Sequence, residues 1–131
     1  MEWTKTAAFA EFGAVASNPV WSWSARSPDG SVVVLTFWKD ALIYSSGSAF
    51  YDDTGWEPEQ ISQAGNRERM ENIRWALEHL GGVVRAVIVE AEDPQAKPRS
   101  IKVCFPQKQL RMRITHFDQE TGEFRAESVA G

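Results

Sequence analysis

The chain has a single cysteine, Cys104, among 131 residues, which excludes an internal disulfide bond. No apolar run approaches the roughly 20 residues that span a bilayer. The first residues have neither the basic segment nor the apolar stretch of a secretion signal. We therefore expect a protein of the reducing cytoplasm that does not enter a membrane. The length predicts one domain, residues 1–131, and an apolar content of 43% is enough for its own core.

Motifs of catalysis and cofactor binding are missing as well. The sequence contains no glycine-rich phosphate loop and no strand–GxGxxG–helix unit. His79 and His116 do not combine with Cys104 at a spacing that binds zinc. We therefore expect no metal ion, no cofactor and no catalytic residue, and we interpret Cys104 as a small core residue.

Acidic residues exceed basic ones, 18 against 14, and the net charge of −4 argues against non-specific coating of nucleic acid. Basic residues are nevertheless concentrated late in the chain. Residues 97–113 include six of them and no acidic residue. This segment is either the solvated face of two strands or a strip that contacts phosphates. In the second case the candidates for backbone contacts are Arg67, Lys102, Lys108 and Arg111.

Tryptophan is unusually abundant, with six in the chain. Trp21 and Trp23 lie two residues apart in an apparent strand, residues 20–26. Alternate residues of a strand share a face, so both indoles would face one way and the hydroxyls of Ser22 and Ser24 the other. Indoles at this density either fill a small core or line a pocket for a flat ligand.

The order of elements predicts an α+β fold with a mostly antiparallel, curled sheet or an open β-barrel. Met70, Ile73, Leu77 and Leu80 recur at helical spacing and define the apolar stripe of the main helix. Turn signals and alternation place the other elements. The predicted elements are a short helix over 4–12, a hairpin of strands 20–26 and 31–38, a long polar loop over 45–56, the main helix from 66 to 80, and strands 83–90, 100–105, 109–117 and 123–129.

Three short segments carry a resemblance to a known family: Asn-Pro-Val-Trp-Ser-Trp-Ser-Ala at 18–25, Val-Val-Leu-Thr-Phe-Trp-Lys-Asp at 33–40, and Gly-Asn-Arg at 65–67. They resemble a domain that occurs in bacteria alone or fused to HNH-type restriction endonucleases. More widely, the order of elements is similar to that of the PUA, EVE and SRA-like barrels, which read modified bases. The chain has no HNH segment, so a nuclease activity would come from a partner protein.

This resemblance implies a PUA-like domain that binds nucleic acid, DNA rather than RNA, without being an enzyme. A base taken out of its stack needs aromatic surfaces and hydrogen bonds to its edge. Tryptophan, serine, asparagine and aspartate side chains supply both. The candidate base-binding residues are Trp21, Ser22, Trp23, Ser24, Trp38, Asp40 and Asn66.

Two readings from other classes remain open. Trp75 lies opposite the apolar stripe of the main helix, as expected for a protein-interaction domain or accessory subunit that presents it to a partner. Alternatively, Asp40, Asp52 or Asp53 would serve a small-molecule enzyme as cleft carboxylates. The oligomeric state stays open.

Overall fold

A computed structural model describes residues 3–18, 22–53, 64–93, 95 and 101–129. Within these residues the chain forms two α-helices, a short 3₁₀ helix and seven strands. In chain order they are α1 (Lys5–Ala10), β1 (Ser24–Arg26), β2 (Val33–Trp38), the 3₁₀ helix (Lys39–Ala41), β3 (Leu42–Ser45), β4 (Ser48–Asp53), α2 (Ala64–His79), β5 (Val83–Ala91), β6 (Ile101–Phe117) and β7 (Phe124–Ser128).

The seven strands form one sheet in the order β1-β2-β5-β6-β7-β4-β3. Five of the six strand pairs are antiparallel, and β2 with β5 is the parallel pair. The predicted α+β class is therefore confirmed, with a mixed sheet. The sheet does not close into a barrel, because β1 and β3 remain its two edges.

The sheet is curled around α2, which covers what we call the inner face. Tyr51 on β4 accepts a hydrogen bond from the backbone N–H of Trp38 on β2, at 3.2 Å, although three strands separate β2 from β4 in the sheet order. Inner-face residues of both halves pack against Ile73 and Ala76 of α2 in one core. The curl thus brings distant strands to the same end of the helix.

The outer face is covered in part by α1, which packs on β5 and β6. Thr4 caps this helix, since its hydroxyl accepts a 3.1 Å hydrogen bond from the N–H of Ala7. Phe9 and Cys104 are buried between α1 and the sheet, which agrees with the interpretation of Cys104 as a core residue. The predicted helix over 4–12 is confirmed with shorter bounds.

The first hairpin is present but differs from the prediction. Its first strand begins at Ser24 rather than at residue 20, and β1 is an edge strand. The N–H of Ser22 donates to the carbonyl of Asn18 at 3.1 Å, and the N–H of Asn18 donates to the hydroxyl of Ser22 at 3.0 Å. These local bonds turn the chain before β1, so the predicted alternation does not extend back to Ser22. Trp21 lies outside the described residues.

The predicted polar loop over 45–56 is wrong for its described part, which forms the hairpin β3–β4. Ser46 and Gly47 both have positive φ, 53° and 79°, as a two-residue hairpin turn requires. Tyr51 is buried and its neighbour Asp52 is exposed, so β4 alternates as a half-buried strand does. Residues 54–56 lie outside the described residues.

The predicted strands 100–105 and 109–117 are one strand, β6. Its pairing with β5 shifts between Arg85, which is opposite Arg111, and Ala86, which is opposite Gln107. A bulge in β6 therefore holds residues 108–110.

In α2, Leu77 is 43% exposed, contrary to its predicted place in the apolar stripe, and Ala76 is buried instead.

Candidate functional site

A buried ion pair joins α2 to the end of β4. The Nη2 atom of Arg69 lies 2.7 Å from Oδ2 of Asp53, and the two side chains are only 5% and 17% exposed. A charge at this depth is costly unless an opposite charge accompanies it. The pair therefore places two opposite charges side by side in the interior, between α2 and the last residue of β4.

Aromatic rings surround the same guanidinium. Its Cζ atom is 5.2 Å from the ring centre of Trp23, just before β1, and 4.9 Å from that of Phe124, the first residue of β7. Both distances are within the range of a cation–π contact. Arg69 thus holds rings that come from two distant parts of the sheet, and Trp23 remains partly exposed beside it.

Tyr51 forms the floor of this site. Its ring packs edge-on against Phe37 at 4.8 Å and lies 5.8 Å from Phe124. Burial raises the pKa of the Tyr51 hydroxyl well above its usual value, and the nearby carboxylates of Asp53 and Asp40 raise it further. Tyr51 is therefore a neutral hydrogen-bonding group at all pH values at which the protein is expected to function.

Two of the predicted residues, Trp38 and Asp40, lie at the end of β2 that Tyr51 reaches. Asp40 is exposed in the 3₁₀ helix, directly after Trp38 and Lys39. Trp38 is partly buried, and its backbone N–H contacts the Tyr51 hydroxyl. The structure thus places Trp38 and Asp40 near Tyr51, whereas Trp23 contacts Arg69.

Asn66 lies next to Arg69 in the interior of the fold. Its side chain is fully buried, and its Nδ2 donates a 2.8 Å hydrogen bond to the carbonyl of Thr121. Its Oδ1 accepts a long contact of 3.5 Å from Arg69. A Cβ on Gly122 would lie 2.4 Å from the same oxygen, so the β6–β7 loop approaches Asn66 too closely for any other residue. Asn66 therefore positions Arg69 and the loop.

Of the two predicted serines, Ser24 contacts α2, whereas Ser22 bonds to Asn18 before β1. Ser22 and Ser24 are fully buried. The hydroxyl of Ser24 accepts a 2.8 Å hydrogen bond from Nδ2 of Asn72 on α2. Trp23 and Ser24 both contact α2, so the prediction that indoles and hydroxyls face opposite ways is wrong for this pair. Its cause is the turn before β1, which ends the regular alternation.

The four predicted phosphate contacts do not form one surface. Arg67 is exposed in α2, whereas Lys102, Lys108 and Arg111 are exposed on β6. Lys102 and Lys108 are six residues apart, about 20 Å along an extended strand. The Nζ atom of Lys108 lies 2.7 Å from the carboxylate of Glu11. Lys108 and Arg111 remain together at the bulge of β6.

The residues of the alternative readings have other partners. Asp52 points to the outer face, where its Oδ2 lies 3.3 Å from Nε of Arg125, so it does not share a cleft with Asp53. Trp75 is partly buried, and its indole N–H donates to the carbonyl of Gly30 at 2.8 Å. No group of three metal-binding side chains occurs in the described ranges. No helix there is long and apolar enough to cross a membrane.

Sequence reasoning missed Arg69, Tyr51 and Phe124. One signal for Arg69 was available, because counting back from Ile73 by four and seven residues reaches Arg69 and Asn66 on the buried side of α2. Polar residues at such positions are buried only when they have partners. Tyr51 and Phe124 lie in strands whose pairing depends on distant parts of the chain.

Trp23 offers partly exposed apolar surface beside the Arg69–Asp53 pair, and Trp38, which Asp40 follows in the 3₁₀ helix, is partly exposed at the end of β2 near Tyr51. This combination suits a planar ligand with N–H groups on its edge. Comparisons of the chain with protein-family models, with curated proteins and with solved structures return no match.

Proposed function

We propose that this chain is a non-enzymatic nucleic-acid-binding module of PUA-like build, which reads a flipped and modified base, in DNA rather than RNA. The observation that carries the proposal is the position of Trp23 and Trp38. The Trp23 indole is partly exposed beside Arg69, and Trp38 is partly exposed at the end of β2, where its backbone N–H donates to the hydroxyl of Tyr51. A sheet curled around one main helix is also the arrangement that the PUA-like resemblance implies.

The physical basis is stacking combined with edge recognition. A base stacked on an aromatic side chain gains roughly 1–3 kcal/mol. Carboxylates accept hydrogen bonds from exocyclic amino groups, as in contacts to the N4 amino group of cytosine. Asp40 is exposed and the Asp53 side chain is 17% exposed, so both have surface available for such a contact. Asn66 contacts Arg69 from within the fold, whereas the buried Ser24 and Ser22 hydroxyls accept hydrogen bonds from Asn72 and from the N–H of Asn18.

The decisive experiment compares two tryptophans. Wild type, Trp38→Ala, Trp38→Phe and Trp75→Phe are titrated into labelled oligonucleotides that carry either plain or modified cytosine, with binding followed by fluorescence anisotropy. Trp38→Ala should weaken binding about 5- to 150-fold, the equivalent of one lost stack. Trp38→Phe should retain most of the affinity, because phenylalanine still offers a ring.

Trp75→Phe is the matched control, since Trp75 is a partly buried indole that contacts Gly30. It should bind as wild type does, and thermal melts should show all variants folded. A 2-aminopurine beside the target base should brighten on binding if that base leaves the stack. Equal binding by Trp38→Ala and wild type, or no binding of any oligonucleotide, would contradict the proposal.

A further inference from the structure

Two arginines face each other on the outer side of the sheet. Arg85 on β5 is directly opposite Arg111 on β6, at the bulge that holds residues 108–110. Like charges directly opposite in a sheet are destabilising. Burial lowers the pKa of Arg85, and the positive charge of Arg111 lowers it further. The fold therefore maintains a repulsive contact at this point.

Neither arginine has an acidic partner within the described residues. No carboxylate oxygen of that part of the chain lies within 4.0 Å of the Arg85, Arg111 or Arg113 side-chain nitrogens. The neighbouring cations differ, because Lys108 pairs with Glu11 at 2.7 Å and Arg125 with Asp52 at 3.3 Å. Glu11 and Asp52 thus pair with the neighbouring cations Lys108 and Arg125, and no described acidic residue pairs with Arg85 or Arg111.

Arg85 is nevertheless held in position. Its Nη2 donates to the carbonyl of Lys108, and its Cζ lies 5.0 Å from the ring centre of Phe12. Its Nε is buried and has no hydrogen-bond acceptor in the described part of the chain. A planar guanidinium that is fixed on a ring, with no carboxylate beside it in the described ranges, is preorganised to bind an oxyanion.

We infer that Arg85 and Arg111 form a phosphate-binding pair that holds the backbone of the nucleic-acid strand. Arg113 follows Arg111 by two residues on the same face of β6, but it is directly opposite Glu127 on β7 and so is not included in the pair. The inference rests on the proposed function for the identity of the ligand. The pair is on the opposite face of the sheet from Arg69, so it is a second contact, separate from the base site.

The test uses the full chain and a single-stranded DNA of about a dozen nucleotides, the size range that one small domain covers. Arg85→Gln and Arg111→Gln are compared with Arg125→Gln, which removes the same charge from an arginine that already has Asp52 as its partner. Affinity is measured over a series of salt concentrations. Each of the first two variants should reduce the slope of log affinity against log salt by about 0.7 for each phosphate that is no longer neutralised.

Two further variants and measurements separate the role of the pair from folding. Arg85→Lys keeps the positive charge but loses the planar guanidinium and its paired N–H donors. It should bind DNA more weakly than wild type at a nearly unchanged salt slope. The melting temperature of Arg111→Gln should equal or exceed that of wild type, because it removes a like-charge contact. Arg85→Gln also loses its contacts with Lys108 and Phe12, so its binding is measured at a temperature at which circular dichroism shows it to be folded. NMR of the Arg85 Nε–H signal during titration with inorganic pyrophosphate reports phosphate binding without any base.

The outcomes distinguish the two proposals. If DNA binds wild type, Arg85→Gln and Arg125→Gln equally, the phosphate pair is refuted while the base-reading function stands. If no oligonucleotide binds but pyrophosphate shifts the Arg85 signal, the proposed function and the role of the pair in holding a nucleic-acid strand both fail, and only phosphate binding by the pair stands. If neither pyrophosphate nor DNA affects that signal, the phosphate pair is refuted.

Discussion

Trp75 on α2 lies directly on the backbone of Gly30 in the β1–β2 turn. The indole N–H donates a 2.8 Å hydrogen bond to the Gly30 carbonyl. A Cβ on Gly30 would lie 2.5 Å from the Cζ2 atom of Trp75, and the φ of Gly30 is +75°. The main helix and the first hairpin therefore meet at a point where only glycine fits.

Gly30→Ala should lower the free energy of unfolding by about 2–4 kcal/mol. Placing alanine in the left-handed region costs roughly 1–2 kcal/mol. Crowding of Trp75 adds roughly 1–3 kcal/mol, less whatever the ring relieves by shifting. Urea denaturation of the variant and wild type, monitored by circular dichroism, measures the difference.

Gly47→Ala is the matched control for this prediction. Gly47 has a similar φ of +79°, but no described atom lies within 4 Å of the place that a Cβ would occupy. It should cost only the backbone contribution of about 1–2 kcal/mol. Equal losses in the two variants would show that Trp75 does not restrict Gly30.

Local signals in the sequence predicted the elements whose geometry is set by near neighbours. The cap at Thr4 and the turn at Gly30 are fixed by contacts within a few residues. The β3–β4 hairpin was missed because its burial depends on distant partners. The N–H of Ala49, for example, donates to the hydroxyl of Ser128, 79 residues away. No local pattern contains that information.

The candidate site was predictable only in part for the same reason. The sequence indicated Trp23 and Trp38 through the unusual number of tryptophans, and Trp38 and Asp40 through their position at the end of a strand. Tyr51, which lies near Trp38 and Asp40, and Arg69, which contacts Trp23, come from other elements, and the curl of the sheet brings them together. Sequence spacing alone cannot reveal a contact made by three separate elements.

Asp29 should titrate near pH 2. The N–H of Ser31 and the hydroxyls of Ser27 and Ser31 donate hydrogen bonds to its carboxylate, and they hold its pKa well below the usual value, at about 2. The contribution to stability is present above the pKa of the unfolded chain and is lost as the pH falls through about 2. Carboxyl carbon chemical shifts measured by NMR over an acid titration give the midpoint.

A Ser31→Ala variant tests the cause of that shift. It removes one hydroxyl donor and leaves the backbone N–H, so the Asp29 pKa should rise toward its usual value without reaching it. Asp118 is the internal control, because its lowered pKa depends on the N–H groups of Glu120 and Thr121. An unchanged Asp29 midpoint in the variant would mean that the hydroxyl contributes nothing.

Cys104 should resist labelling until the protein unfolds. The Cys104 residue is 6% exposed beneath α1, its Sγ lies 3.4 Å from the carbonyl oxygen of Trp3, and burial raises the pKa of the thiol. Only open molecules react, so labelling should be on the order of 10³-fold slower than in the denatured chain. Thionitrobenzoate release at mildly alkaline pH, with and without urea, measures both rates. Similar rates would place Cys104 at the surface of the native protein.

The last prediction compares two neighbouring aspartates on opposite faces of β4. Asp53→Asn leaves the charge of Arg69 buried without its carboxylate, and should cost about 2–4 kcal/mol of stability. Asp52→Asn breaks an exposed pair with Arg125 and should cost less than about 1 kcal/mol. Adding Arg69→Met to Asp53→Asn should recover part of the loss, because no buried charge then remains unpaired. Chemical denaturation of wild type, Asp53→Asn, Arg69→Met and the double variant gives the coupling energy. An Asp53→Asn loss no larger than that of Asp52→Asn would show that the ion pair does not hold the site together.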